Sequence, residues 1–204
     1  MPLHFDSKEF GNRRNRLLEL MAGSELDGML IFRQESMFYL TGYDTFGYVF
    51  FQCLFLGGDG KLILLTRVPD LRQAQNTSIV EDIRIWVDGP EVNPALQLKE
   101  ILQVYGCAGK RLGVEYDSYG LTAKNGKMLD SALDGFCELI DASGMVNRLR
   151  VVKSPEELVY VRKAAELADD ALDEAHRLVK DGCDEGELLA AMQGAVFRGG
   201  GDYP

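Results

Sequence analysis

The sequence predicts a three-layer α/β/α domain with a mixed sheet over residues 1–150, followed by the opening of a second domain over residues 151–204. Three observations carry this. Short apolar runs of strand length alternate with stretches of helical period up to residue 150. Two of the runs are joined by Gly57-Gly58-Asp59-Gly60, a turn that makes a hairpin and adds antiparallel pairing to the alternation. Beyond residue 150 the pattern is helical only.

The elements follow in order. Asp6 or Ser7 caps a first helix that runs to Ala22, with Phe10, Leu17, Leu18 and Met21 on its apolar face, and Gly23 stops it. Leu26–Phe32 is a run of strand length whose successive apolar positions, Met29–Phe32, suit a strand covered on both faces. Tyr48–Leu56 reads as a second such strand and Leu62–Leu65 as its hairpin partner. Ile83–Val87 reads as a strand and Pro94–Tyr105 as a helix. Leu112–Glu115 and Cys137–Ile140 are short strands, with a helix over Leu121–Leu133 between them that Asn125-Gly126 weakens. Ser154-Pro155-Glu156-Glu157 is a helix start: an N-cap Ser, Pro at the first helical position and Glu at the third. Behind it Leu158, Val161, Ala165, Ala168, Leu172, Ala175 and Val179 recur at spacings of three and four, one helix of about 25 residues. Asp181-Gly182 ends it, and Asp184 caps another helix through Phe197. Two helices and a glycine loop, Gly199–Gly201, read as the start of a domain rather than a whole one.

Composition narrows the function. The chain has 204 residues, 46% hydrophobic and 26% charged, ordinary for a globular protein. Such a length buries roughly 70% of the unfolded surface, so no staples are needed. A net charge of −10 repels phosphate backbones, so nucleic acid is not an expected partner. The longest apolar stretch, Tyr48–Leu56, falls far short of the about 20 residues that span a bilayer, so no membrane partner is expected either. Met1–Phe10 lacks the features of a signal peptide. Cys53, Cys107, Cys137 and Cys183 form no C-x-x-C and read as buried, reduced thiols, which points to the cytoplasm.

Few residues advertise chemistry. His4 and His176 lie far apart, without metal-ligand spacing, and both read as solvated; no metal ligand is expected in the chain. No G-x-S-x-G, P-loop or G-x-G-x-x-G occurs, and the Gly57–Gly60 turn precedes a strand rather than a helix, unlike a phosphate loop. The segment Tyr39–Tyr48 is dense in aromatics between two strands. It either grips a ligand or partner or covers the sheet edge. Arg67, at a strand end, either faces an anionic group or pairs with Asp70; the pair is favoured in an acidic protein.

Three stretches together suggest a family. Phe38-Tyr39-Leu40-Thr41-Gly42-Tyr43 resembles the YLTGY stretch of creatinase/prolidase/Xaa-Pro aminopeptidase proteins. Leu112-Gly113-Val114-Glu115-Tyr116-Asp117 resembles their (I/L)G-(V/F)-E strand. Leu149-Arg150-Val151-Val152-Lys153-Ser154-Pro155-Glu156-Glu157-Leu158, with Arg162-Lys163-Ala164-Ala165, is similar to the join between their two domains. The stretches occur in family order.

The resemblance implies a creatinase-type N-terminal domain over residues 1–150 and the first helices of a truncated "pita-bread" α+β catalytic domain over 151–204. It implies a homodimeric hydrolase of C–N bonds whose N-terminal domain caps the partner's active site through the loop holding Asp44, Phe46 and Tyr48. Two divalent metals (Mn, Co or Zn) belong to the catalytic domain, beyond Pro204, so no catalytic residue is assigned here and the chain alone is expected to be inactive. Xaa-Pro dipeptidase or aminopeptidase is the leading substrate class, with creatinase or ectoine hydrolase as the alternative. A stand-alone interaction module is the rival reading from another class, and a small-molecule binding protein a third, without a ligand fingerprint.

Overall fold

The structure, a computed structural model, describes residues 3–202. Contacts divide the chain into two compact units, the first ending at Val152 and the second opening at Lys153.

The first unit runs α1 (Ser7–Gly23), β1 (Gly28–Ile31), α2 (Gln34–Thr41), β2 (Cys53–Gly57), β3 (Leu62–Arg67), α3 (Leu71–Thr77), β4 (Asp82–Trp86), α4 (Pro94–Val104), β5 (Arg111–Val114), α5 (Ala123–Leu133), β6 (Glu138–Asp141) and α6 (Met145–Val151). The six strands form one mixed sheet in the order β4-β3-β2-β1-β5-β6. β1 pairs antiparallel with β2, and β2 with β3. The pairs β3–β4, β1–β5 and β5–β6 are parallel.

Strand alternation splits the apolar residues between two cores. Met29 and Ile31 of β1 and Leu54 and Leu56 of β2 pack with Leu17 and Met21 of α1, Met37 and Leu40 of α2, and Val146 and Leu149 of α6. Leu30, Cys53 and Phe55 point the other way, to Leu98 and Leu102 of α4 and Leu129 and Leu133 of α5. Helices thus cover both faces of the sheet, a three-layer α/β/α arrangement. This explains why β1 and β2 are apolar at successive positions: all their residues are buried. Each fully buried Leu or Met contributes about 1.5–3 kcal/mol.

The second unit is α7 (Pro155–Leu178) packed on α8 (Glu185–Arg198). α7 starts with a capping box: Ser154 Oγ accepts from the Glu157 N–H at 3.1 Å, and Glu157 Oε2 accepts from the Ser154 N–H at 2.8 Å. Asp184 caps α8. Among the described residues only Ala171 of α7 and Ala195 of α8 are buried in these helices.

Three expectations need correction. Tyr48–Leu56 is not one strand: Phe46–Val49 forms a 3-10 turn, and β2 begins only at Cys53. The helices α2, α3 and α6 are additional. Of the cysteines, all free, Cys53 and Cys107 are buried, but Cys137 and Cys183 are only half-buried.

Candidate functional site

The aromatic segment divides at Gly42. Before it, α2 buries Tyr39 and Leu40. Thr41 Oγ1 donates to the Met37 carbonyl at 2.7 Å and accepts from the Tyr43 N–H at 3.1 Å, so it closes the helix and opens the turn. Gly42 sits at φ +81°, and a Cβ there would lie 2.8 Å from the Thr77 carbonyl oxygen. Only glycine meets both conditions. Leu40-Thr41-Gly42-Tyr43 therefore encodes a helix end.

Tyr43 is fully buried and its hydroxyl donates to Gln52 Oε1 at 2.7 Å. Burial pushes its phenol up to about 12. Beyond it the chain turns outward. Thr45 caps the 3-10 turn, its Oγ1 accepting from the Gly47 N–H at 2.9 Å. Phe46 is 81% exposed and Tyr48 43% exposed. Asp44 is exposed, its N–H donating to Thr77 Oγ1 at 3.1 Å. Tyr48 meets the exposed Tyr119 edge-on, with ring centroids 6.3 Å apart. Val49 and Phe50 complete an exposed apolar surface.

Arg67 lies beside this turn. Its Nε donates to Asp70 Oδ2 at 3.3 Å, its Nη1 lies 3.6 Å from Asp88, and its guanidinium sits 3.4 Å over the Phe50 ring. The structure thus brings Phe46, Tyr48 and Arg67 to one corner of the first unit, with Arg67 paired to Asp70. His176 is exposed, and His4 lies against Phe38 at 6.3 Å between ring centroids.

A second feature escaped the sequence reading. A cleft of about 510 Å³ is lined by Arg33, Glu35, Tyr116, Asp117, Ser118 and Tyr119. These residues follow the carboxyl ends of the parallel strands β1 and β5, where chain connections leave to opposite faces, a usual place for clefts in such sheets. At its base Glu115 accepts from Ser36 Oγ at 2.7 Å and from the Arg33 N–H at 3.1 Å. Burial pushes the Glu115 carboxyl up, and these hydrogen bonds oppose the shift. Among the described residues no group of three His, Cys, Asp or Glu side chains is placed to hold a metal ion. No described helix is long and apolar enough to cross a membrane.

Residues 13–152 match the Creatinase/Prolidase N-terminal domain. The chain is 28% identical to the ectoine hydrolase of Halomonas elongata, an alignment covering 99% of this chain and 54% of that protein. It is 27% identical to the creatinase of a Bacillus species, over 95% of this chain and 46% of that protein. Among solved structures, the recombinant prolidase of Thermococcus sibiricus superposes with a TM-score of 0.75 at 20% identity, over 94% of this chain and 50% of that one. The chain spans about half the length of the curated relatives it matches.

Proposed function

Because the chain belongs to the creatinase/prolidase N-terminal domain family, we propose that it is the dimerising and active-site-capping part of a cytoplasmic, homodimeric, metal-dependent hydrolase of C–N bonds. The observation that carries this reading is the exposed Phe46–Val49 turn: an aromatic projection on a domain whose other large side chains are mostly buried. The domain supplies shape and contact. The chemistry would come from two divalent metals (Mn, Co or Zn) held elsewhere in the protein, which polarise the scissile carbonyl and activate water. In this reading the metals are held by the catalytic domain, and the 204 residues by themselves hydrolyse nothing.

The leading substrate is a Xaa-Pro dipeptide, supported by the prolidase-type fold. A second reading, a small C–N substrate of the ectoine or creatine kind, is favoured by the higher identity to those two hydrolases.

The test uses the hydrolase containing this domain, assayed on Ala-Pro, ectoine and creatine. Phe46→Ala and Tyr48→Ala should raise KM or lower kcat by about 1–3 kcal/mol of transition-state binding, with the melting temperature kept. Normal kinetics with a lowered melting temperature would mean that the turn is merely cover for the sheet.

A further inference from the structure

The polar groups beneath the aromatic turn form one connected, buried set. Asp70 ends the 3-10 turn Val68–Asp70 that follows β3 and is only 7% exposed. Its carboxylate accepts from Thr45 Oγ1 at 2.8 Å, Gln52 Nε2 at 3.3 Å and Arg67 Nε at 3.3 Å. A buried carboxylate is costly unless its lone pairs are occupied, so losing one donor strains the whole set. The donors come from the turn's entrance (Thr45), its exit (Gln52) and the end of β3 (Arg67).

Gln52 links the set to the turn's backbone. Tyr43 O–H donates to its Oε1, which leaves Nε2 to donate to the Gly47 carbonyl at 2.9 Å as well as to Asp70. Having donated its proton there, the Tyr43 hydroxyl is an acceptor for Thr66 Oγ1 at 3.2 Å. At Gly47 a Cβ would lie 2.6 and 2.7 Å from the two Asp70 oxygens. The network therefore meets the turn as bare backbone, and any side chain at Gly47 would push it apart. On the far side, the Arg67 guanidinium over Phe50 and the Trp86 indole N–H, donating to the Phe51 carbonyl at 3.0 Å, hold the segment that leaves the turn.

Gln52 is also the one polar residue in the Tyr48–Leu56 run. Buried there, its amide is satisfied by Tyr43, the Gly47 carbonyl and Asp70. We propose that Asp70 and Gln52 are positioning residues, which act through the Thr45 and Gly47 contacts to hold Phe46 and Tyr48 in their outward projection. The functional consequence rests on the capping role proposed above; the positioning itself does not.

The experiment therefore has two arms. In the 204-residue chain, Asp70→Asn keeps shape but turns one acceptor into a donor, so the side chain can no longer accept from Thr45, Gln52 and Arg67 together. Amide hydrogen exchange at Gly47 and Phe50 should quicken on the order of tenfold, the loss of about one hydrogen bond, while Leu54–Leu56 and Ile63–Leu65 keep their rates. Gly47→Ala disturbs the same contacts without touching the charge, and it decides the matter should Asp70→Asn fail to fold. Unchanged exchange at Gly47 and Phe50, or quickening spread evenly over the first unit, overturns the positioning role. In the hydrolase, Asp70→Asn should reproduce the KM or kcat change of Phe46→Ala. If Phe46→Ala is kinetically silent, the capping role fails while the exchange result stands. If Phe46→Ala is impaired and a folded Asp70→Asn is not, the positioning role fails.

Discussion

The strand β1 and the helix α7 sit at opposite ends of the relation between local signal and stability. β1 is four residues long with no cap or turn to announce it, and every residue in it is buried. α7 has 24 residues, a complete capping box and Pro in its first turn, and buries only Ala171. Local signals decide where an element starts; burial decides how firmly it is held. The first unit has two cores on either side of a sheet, and the second is a helix pair with an apolar stripe in solvent, including Leu158, Val161 and Leu172.

The largest test of this contrast is truncation. Leu54 is 1% exposed and Leu172 is 50% exposed. Leu54→Ala should cost about 2–5 kcal/mol in the first unit. Leu172→Ala should stay within about 0.5 kcal/mol. Urea unfolding followed by Trp86 fluorescence and by far-ultraviolet circular dichroism reads the two units. Equal losses would break the contrast and mean that the α7 stripe has found cover.

Cap removal comes next. Ser154→Ala deletes the side-chain half of the α7 capping box and should cost about 1 kcal/mol. Exchange at Glu157 and Leu158 should quicken, with β1 and β2 amides unmoved. A drop in β1 protection would show that the second unit supports the first.

The smallest effect is a pH dependence inside the first unit. Asp27 is held below the usual carboxylate range, first by the Arg111 backbone N–H and then by Lys110. Its contribution is present above the unfolded value and lost as pH falls through the folded one. Glu115 runs the other way, because burial raises its folded value. The folded state holds that proton more tightly, so stability declines as pH rises from the ordinary Glu value through the raised one. Glu115→Gln should remove that decline from the urea midpoints measured between about pH 4 and 8. A curve of unchanged shape would mean that Glu115 does not titrate in that window.

The legible parts of the fold are those whose cause is local. Ser154-Pro155-Glu156-Glu157 carries its own cap, and Gly57–Gly60 its own turn. α2 is not legible locally because its N-cap residue, Arg33, makes no side-chain cap; the acceptor at that helix start is Glu115, 82 residues away in sequence. Tyr48–Gln52 reads as the start of a strand because apolar residues fill most of it, while the groups that hold the bend, Asp70 and Gln52, meet only in the folded chain. Phe46 and Tyr48 stood out by composition. The cleft at Arg33 and Tyr119 did not, since it depends on which two strand ends become neighbours.

The outermost strands of the sheet have a consequence of their own. β4 and β6 each leave one side unpaired. β4 carries Asp82 and Arg84, paired with each other, and β6 begins with an exposed Glu138, paired with Arg111, and ends with an exposed Asp141. An incoming strand would have to strip water from these charges before it gained a hydrogen bond. Charge on both outer strands therefore works against growth of the sheet by a strand from another copy.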